Sequence, residues 1–315
     1  MTAKQQMMWR AVPEAMYDFT ILPERLSEML NVAGVLFMVA LAAFLYIVMV
    51  ILINVLKLKN KIDRKNDDFL LCDIAYFYEK GRRDEQEDSI LISPMSDYLD
   101  HGVAVAVSDG MGGLAYGEVI SRYVTDRLRE LHPIDFDDNV KNAEIIRKIS
   151  DEVYENYHLG SGATLVMVQI KDNFMNFYSV GDSNIILIRG GRATVLNPKQ
   201  NYIFLLIRKM AEGGMSTHDA YINNRARALV DFIGNVNCRV LHTDSPIRLY
   251  EDDIILVCSD GVTDTVSASK LCKQVSSQYS AASSAQRLKL AIKSKKNPKQ
   301  DNYTGVLIRM ERSFL

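Results

Sequence analysis

The feature that most constrains this chain is a long apolar run near its start, from Met29 to Leu56, in which the only ionisable side chain is Tyr46. A helix needs about 20 apolar residues to cross the hydrocarbon core of a bilayer. This run is apolar on every side and lacks the 3.6-residue alternation of a half-exposed globular helix. A buried core helix is the alternative interpretation, but we predict a transmembrane helix over residues 31–56 that contacts the lipid bilayer.

The position of the run and its flanking charges indicate how it is used. It begins too far from the N-terminus for a cleaved signal peptide, and no small-x-small cleavage site precedes the charged segment that follows. Basic residues stay on the cytoplasmic side of a membrane. They crowd the C-terminal flank, where the sequence has Lys57, Lys59, Lys61, Arg64 and Lys65, against Lys4, Arg10 and Arg25 before the run.

This asymmetry predicts a single-pass protein of the cell membrane with its main domain in the cytoplasm. Residues 1–30 would form a short extracytoplasmic segment, and residues 57–68 a charged linker. The linker could touch anionic lipid or be a plain solvated spacer. Residues 69–315 would form the cytoplasmic domain.

Composition excludes several classes of protein. The chain is 48% hydrophobic and 24% charged with a net charge of −2, which is ordinary for a folded protein. No basic excess points to nucleic acid, so we expect no such partner. The four cysteines form no CxxC pair, which indicates reduced thiols rather than a thiolate metal site. They are Cys72, Cys238, Cys258 and Cys272.

Beyond residue 69, short β-type runs are interspersed with amphipathic helices. The predicted strands are 72–78, 103–107, 163–170, 176–180, 184–188, 253–258 and 304–309. The predicted helices are 117–131, 145–157, 203–212 and 282–293. Strands follow one another through short turns such as Gly190-Gly191. This order favours antiparallel sheets covered by helices over a doubly wound parallel sheet.

Acidic residues follow two of the most apolar strands. In both cases one serine separates the acid from the strand. Asp109 follows the strand at 103–107, and Asp260 follows the strand at 253–258. Asp301 precedes a third strand. One Asp-Gly pair alone is more often a turn signal, but several such corners bring together hard oxygen ligands that suit Mg²⁺ or Mn²⁺. Carboxylates repel one another, and a cation is the physical reason to tolerate the cluster.

Six short motifs stand in a fixed order along the domain. They are Arg83–Asp88 (RDEQED), Asp109–Gly113 (DGMGG), Ser161–Thr164 (SGAT), Val180–Ser183 (VGDS), Ser259–Asp264 (SDGVTD) and Asp301–Thr304 (DNYT). In this combination the chain resembles the metal-dependent protein phosphatases of the PPM (type 2C) family, in its bacterial form, over about residues 73–310. The resemblance implies an α+β fold, an α/β/β/α sandwich of two antiparallel sheets flanked by helices.

The resemblance also implies a centre of two or three Mn²⁺ or Mg²⁺ ions. Asp109 would bridge two ions and the Gly110 carbonyl would bind one of them. Asp182, with Asp260 or Asp264, would form a third and weaker site. Glu87 and Asp88 would act mainly through metal-bound water. The implied metal ligands are Glu87, Asp88, Asp109, Gly110, Asp182, Asp260, Asp264 and Asp301, and the implied catalytic residues are Arg83, Asp109 and Asp260.

The implied reaction is hydrolysis of phosphoserine and phosphothreonine on cytoplasmic proteins by a metal-activated water. Arg83 would clamp the substrate phosphate, although it could instead form a surface salt bridge with Glu79, Glu85 or Glu87. The implied partners are phosphorylated proteins and an opposing Ser/Thr kinase. The enzyme could serve many clients or only one.

The sequence departs from the family in two places. Met111 stands where many eukaryotic members have histidine, and Leu196–Tyr202 replaces a Thr-x-Asp-His-Ser stretch. The second departure keeps open a catalytically weak pseudophosphatase that acts as a membrane-bound phosphoprotein-binding or regulatory scaffold. After it, segments 213–217 and 223–227 resemble the family's mobile flap, where Arg225 or Arg227 could contact a phosphopeptide or simply be solvated.

Overall fold

The structure of the protein is a computed structural model. It describes residues 36–55, 69–111, 116–157, 161–216, 218–219, 223, 225 and 228–312. The chain divides into two compact units, Met1–Asn66 and Asp67–Leu315. Each unit is considered by itself.

The described part of the first unit is helix α1, Leu36–Val55. It has 20 residues and a mean hydropathy of 3.0, and none of its residues is buried. By length and composition it can cross a membrane. The ends of the predicted span, residues 31–35 and 56, lie outside the described residues, as do segment 1–30 and the linker at 57–68.

The second unit contains two antiparallel sheets. In spatial order, the first consists of β1 (Leu70–Glu79), β11 (Tyr303–Arg312), β10 (Ile254–Cys258), β6 (Asn184–Arg189) and β7 (Arg192–Val195). The second consists of β2 (Asp88–Ile92), β3 (Val103–Asp109), β4 (Leu165–Lys171), β5 (Phe174–Val180) and β8 (Leu241–His242), and β9 (Ile247–Arg248) also pairs with β5.

Strand β3 shows how the sequence builds the layers. Its side chains alternate between two cores because successive residues of a strand point to opposite faces. Val103, Val105 and Val107 belong to the core between the two sheets, whereas Ala104 and Ala106 belong to the core beneath the helices of the second sheet. An apolar run without polar alternation therefore marks a strand that is buried on both faces.

Helices cover the outer face of each sheet. Their bounds are α2 (Tyr98–His101, after a 3₁₀ turn at Met95–Asp97), α3 (Gly117–Glu130), α4 (Asn139–Tyr157), α5 (Tyr202–Ala211), α6 (Asp260–Thr263), α7 (Ala268–Gln274) and α8 (Ala281–Lys293). Apolar faces of α3 and α4 pack on the second sheet, and those of α7 and α8 pack on the first. The predicted α/β/β/α sandwich is confirmed.

Element boundaries differ from the prediction where polar residues are buried. Helix α4 begins at Asn139 rather than residue 145, because Asn142 is buried and its Nδ2 donates to Tyr178 Oη at 2.9 Å. Ala163 lies before β4 and forms isolated bridges with Gly110 and Ile233. The short edge strands β2, β7, β8 and β9 carry too little apolar pattern to be recognised.

The predicted turn at Gly190-Gly191 is confirmed as a two-residue hairpin. Arg189 pairs with Arg192 across it. The two glycines have φ angles of 55° and 73°, in the left-handed region that this hairpin turn requires.

We expect Val105→Ala to lower the free energy of unfolding by about 2 kcal/mol, because it removes two buried methyl groups and leaves a cavity. Val105 is 0% exposed between the sheets. Val195→Ala is the matched control, since Val195 is 52% exposed on edge strand β7 and its truncation should change stability by less than about 0.5 kcal/mol. Chemical denaturation of both variants measures the difference, and equal losses would contradict this packing.

Candidate metal centre and active site

The acidic corners meet at one end of the sandwich. Asp88, the first residue of β2, lies opposite Asp109, the last residue of β3. The other sheet reaches the same place through Ser259, which follows β10 and whose Oγ donates to Asp88 Oδ2 at 2.9 Å. The Ser259 amide also donates to the Thr304 carbonyl at 3.1 Å. This hydroxyl–carboxylate bond joins the ends of the two sheets.

A second set of bonds holds the turn after Asp109. The Asp109 amide donates to Thr164 Oγ1 at 3.2 Å, and the Thr164 amide donates to the Asp109 carbonyl at 2.8 Å. Thr164 Oγ1 is also 2.7 Å from Ser183 Oγ. The motifs at 161–164 and 180–183 therefore supply hydroxyl groups that support Asp109, a role the sequence analysis did not assign to Thr164 or Ser183.

Asn302 holds the segment that carries Arg83 and Glu87. Its Oδ1 accepts from the Glu87 amide at 2.9 Å, and its Nδ2 donates to the carbonyls of Lys80 and Glu85 at 2.8 and 2.9 Å. One buried amide side chain thus satisfies three backbone groups of an irregular loop. The sequence analysis singled out Asp301 and missed its neighbour, because an asparagine in a motif gives no sign of which backbone it will bind.

The glycines that follow the two aspartates are required by close packing of the chain. A Cβ on Gly261 would meet the backbone carbonyl of Asn302, and a Cβ on Gly110 would meet the backbone of Gly117. Neither substitution could be accepted without moving backbone. Approach of a ligand to the Gly110 carbonyl remains a prediction.

The carboxylates form one electrostatic cluster. Burial, followed by the charges of Asp88, Asp260 and Asp301, raises the pKa of Asp109 well above its ordinary value. Burial and the charge of Asp301 contribute to raising the pKa of Asp88 to about 6. Burial, followed by Asp182, Asp264 and Asp301, raises the pKa of Asp260 to about 7. Each predicted carboxylate ligand except Glu87 either has one of these three raised pKa values or contributes its charge to one of them.

Glu87 and Arg83 lie at the edge of the same cluster. Burial raises the pKa of Glu87, and the charge of Arg83 opposes that rise. Arg83 Nη2 donates to Asp301 Oδ2 at 2.7 Å, with 45% and 40% of the two side chains exposed. The alternative prediction of a salt bridge between Arg83 and Glu79, Glu85 or Glu87 was wrong about the partner, which is Asp301. Glu79 pairs with Lys289 Nζ at 3.0 Å instead.

The donor set fits a divalent cation with water in its shell. Asp88 is 2% exposed, and its Oδ1 is buried without a hydrogen-bond partner among the described residues, which a cation would satisfy. Within those residues, no three His, Cys, Asp or Glu side chains converge on one ion. Mg²⁺ commonly binds through one or two carboxylates and keeps several waters.

The divergent segment at 196–202 is ordered beside the cluster. Gln200 Oε1 accepts from the Gly181 amide at 2.7 Å, and Asn197 Nδ2 donates to the Ser183 carbonyl at 2.9 Å. These bonds attach the segment to the turn that carries Asp182. Gly112, Gly113 and Arg227 lie outside the described residues. Arg225, in the segment compared with a flap, is exposed, and its amide donates to Asn223 Oδ1 at 2.9 Å.

Comparison with curated proteins finds bacterial serine/threonine phosphatases, while no family model matches the chain. Serine/threonine protein phosphatase PstP of Mycobacterium tuberculosis is 24% identical over 201 residues, which cover 60% of this chain and 37% of PstP. Protein phosphatase PhpP of Streptococcus pneumoniae is 26% identical over 215 residues, covering 61% of this chain and 82% of PhpP. The match thus spans well under half the length of PstP.

Solved structures extend the similarity to the whole fold. The serine/threonine phosphatase of S. agalactiae superposes with a TM-score of 0.65 at 23% identity, covering 76% of this chain and 99% of that one. The catalytic domain of PstP in complex with two manganese ions gives a TM-score of 0.57 at 26% identity, covering 77% and 99%. The described domain therefore has the PPM phosphatase fold, and the chain is similar in sequence to bacterial serine/threonine protein phosphatases.

Proposed function

We propose that this protein is a membrane-anchored, metal-dependent phosphatase that hydrolyses phosphoserine and phosphothreonine on cytoplasmic proteins. The observation that carries the proposal is the pair of the buried Asp88 and the half-buried Asp109, opposite each other at the joined ends of the two sheets and close enough to Asp260 and Asp301 for their charges to raise the pKa of Asp109. The similarity to bacterial serine/threonine phosphatases supports the substrate class. The opposing partner would be a Ser/Thr kinase.

The residues that would hold Mn²⁺ or Mg²⁺ are those at the centre of the cluster. Asp109 and the Gly110 carbonyl would bind directly, and Asp260, Asp301, Glu87 and Asp88 would complete the shells directly or through metal-bound water, since no three acidic side chains of the described residues converge on one ion. Two bound divalent cations would supply a water of lowered pKa and would neutralise charge on the phosphoryl oxygens. The buried carboxylates themselves provide a rigid, preformed anionic site.

Arg83 is placed to orient the substrate. Its side chain is 45% exposed at the rim, and Nη2 alone binds Asp301. The remaining N–H groups of the planar guanidinium match a phosphate group. Pairing with Asp301 restricts the rotamers of Arg83 before substrate arrives, which lowers the entropy cost of binding.

A pseudophosphatase receives no support from the segment on which that alternative depends. Residues 196–202 differ in sequence from the family, yet Gln200 and Asn197 attach them to the Gly181–Ser183 turn. All the carboxylates of the proposed centre are present. The active enzyme is therefore the function proposed.

The membrane part of the proposal comes from helix α1 and its flanking charge. Residues 31–56 would span the bilayer, with 1–30 outside and the linker at 57–68 leading to the catalytic domain, 69–315, in the cytoplasm. None of the residues of α1 is buried, which supports a transmembrane helix rather than a buried core helix.

We expect the full chain in detergent micelles to hydrolyse a phosphothreonine peptide with Mn²⁺, and EDTA to abolish the activity. Asp109→Asn should lower kcat/KM by at least about 100-fold, as loss of one transition-state contact commonly does. Asp244→Asn is the matched control, because Asp244 is exposed in the turn between β8 and β9. Absence of activity in the parent, or activity unchanged in Asp109→Asn, would refute the enzyme.

Stability of the metal-free protein should fall as pH rises. A carboxyl whose pKa is raised by folding stabilises the fold fully below its ordinary value and loses that contribution as pH passes the folded value. For Asp88 and Asp260 the folded values are about 6 and about 7, against an ordinary 3.8. Between pH 5 and pH 8 in EDTA, we therefore expect the Tm to decrease.

The variant Asp260→Asn tests the origin of that pH dependence. It removes the group that titrates near pH 7 and should flatten the Tm profile, raising the metal-free Tm at pH 8 by about 2–4 °C for each kcal/mol of repulsion relieved. Thermal melts followed by near-ultraviolet circular dichroism measure it, with Asp244→Asn as control. A Tm profile identical to the parent's would show that repulsion between the carboxylates does not destabilise the metal-free protein.

Membrane insertion should depend on the centre of α1. Leu45→Arg together with Val48→Arg adds about 2.5–3.5 kcal/mol of insertion cost per arginine and should release the protein from membranes. Leu45→Ala with Val48→Ala is the control and should stay inserted. Alkaline carbonate extraction of membranes measures retention, and protease treatment of spheroplasts tests orientation. Recovery of the parent in the soluble fraction would contradict the proposed anchor.

A further inference from the structure

A cavity of about 290 Å³ opens beside the acidic cluster, where the loop after β1 meets the loop before β11. Gly81 and Arg82 line it from the first loop, and Gln300 lines it from the second. The next residue along each loop belongs to the Arg83–Asp301 ion pair at the rim of the cluster. The cavity and the proposed metal centre are therefore neighbours built from the same two loops.

Close packing and buried hydrogen bonds fix the wall between the cavity and the cluster. Gly81 has a φ angle of 66°, and a Cβ there would meet the Asp301 carbonyl. The Arg82 amide donates to the Gln300 carbonyl at 2.8 Å. The side chain of Gln300 is buried, and its Nε2 donates to the Gly261 carbonyl in α6 at 3.0 Å. The cavity is thus held in a fixed position beside the cluster.

The cavity carries positive charge that no acid of the described residues neutralises. Four exposed basic side chains line it, and they are Lys80, Arg82, Lys293 and Lys296. None of the four forms an ion pair with a residue that the structure describes. The one acid in the lining, Glu79, is already paired with Lys289 Nζ at 3.0 Å. We call this site the basic cavity.

The basic cavity has the chemistry of a site for an oxygen anion. Arginine offers a planar fork of N–H donors and lysine a compact charge, and both bind carboxylate and phosphate groups. Arg82 and Arg83 are consecutive, but Arg83 binds Asp301 at the cluster whereas Arg82 lines the basic cavity. An extended peptide advances about 3.3 Å per residue, so an anionic side chain within about four residues of the phosphorylated one can reach the basic cavity.

We propose that the basic cavity binds a second anionic group of the substrate, an acidic or phosphorylated side chain near the phosphoserine or phosphothreonine. The inference rests on the proposed function, because it presumes that a phosphopeptide occupies the acidic cluster and its metal ions. The position of the basic cavity favours a substrate over other anions, since its lining continues directly into Arg83 and Asp301. The enzyme would therefore prefer phosphoproteins with acidic or multiply phosphorylated segments.

The test compares three phosphothreonine peptides, hydrolysed by the full chain in detergent micelles with Mn²⁺. One has neutral flanking residues, one has flanking glutamates, and one has a second phosphate on a flanking serine. The parent should hydrolyse the two anionic peptides with a kcat/KM at least about fivefold above that of the neutral peptide, the size expected from two or three exposed ion pairs. A larger ratio for the doubly phosphorylated peptide would identify phosphate as the preferred group, and a larger ratio for the glutamate peptide would identify carboxylate.

Variants at the end of α8 assign this preference to the basic cavity. Lys293→Gln with Lys296→Gln should bring the ratio of anionic to neutral peptide to within about twofold of one, and Lys293→Glu with Lys296→Glu should make the neutral peptide the better substrate. Lys141→Gln with Lys148→Gln is the matched control and should keep the ratio of the parent, because both lysines are exposed on α4, which packs on the other sheet. A ratio measured on one enzyme preparation cancels any general loss of activity, and circular dichroism verifies that each variant is folded.

The outcomes separate this inference from the proposed function. Equal kcat/KM values of the parent for all three peptides would overturn the second anion site and leave the phosphatase standing. A preference that persists in both folded double variants would also overturn it, by placing the anionic group elsewhere. Equal values together with an effect of added phosphatidylserine that only the Lys293→Gln, Lys296→Gln variant loses would overturn it by assigning the basic cavity to the membrane surface. No hydrolysis of any peptide by the parent would overturn both.

Discussion

The structure depends on the burial of several carboxylates where the ends of two β-sheets meet. Moving a charge out of water costs several kcal/mol unless a partner compensates, and Asp88, Asp109 and Asp260 are each coupled to further acids. Strands that are buried on both faces deliver these side chains to one edge and leave them little freedom to separate. Tolerance of this repulsion is the physical argument for a bound divalent cation.

Neutral polar side chains make the arrangement rigid. Ser259 joins Asp88 to the opposite sheet, Thr164 binds the backbone of Asp109 in both directions, and Asn302 satisfies three backbone groups of the loop that carries Arg83. None of them is charged, so they orient the acids without neutralising them. Hydroxyl and amide groups thus fix geometry here, while the compensation of charge is left to cations.

Arg83 brings a positive charge of the protein's own to the cluster. Arg83 is paired at the exposed rim, where it remains accessible to a phosphate group. On the other side, the buried side chains of Asn197 and Gln200 hold the divergent segment against the turn that carries Asp182. The departure in sequence from the family is therefore compatible with the fold around the carboxylates.

Much of the fold and of the candidate site could be predicted from the sequence, because both depend on patterns within short segments of the chain. Apolar runs long enough for a bilayer or for a doubly buried strand are visible directly, as is an acid placed at a strand end. Antiparallel sheets covered by helices and the acidic corners at Asp109, Asp260 and Asp301 followed from such patterns. The α/β/β/α sandwich and the place of Asp88 were implied by the resemblance to a known family that the order of the motifs carries. Edge strands such as β2 were missed, since a short strand with one covered face carries little periodicity.

Only the tertiary structure decided which groups meet across the sheets. Ser259 and Asp88 are distant in sequence and meet because one sheet packs on the other. Arg83 and Asp301 are also distant in sequence, and the antiparallel pairing of β1 with β11 brings their loops together. The salt bridge considered as an alternative role of Arg83 was placed among nearby glutamates because sequence distance was the only available guide, whereas its partner is Asp301. Local pattern determines which residues are buried or charged, whereas the packing of one sheet on the other determines which of them interact.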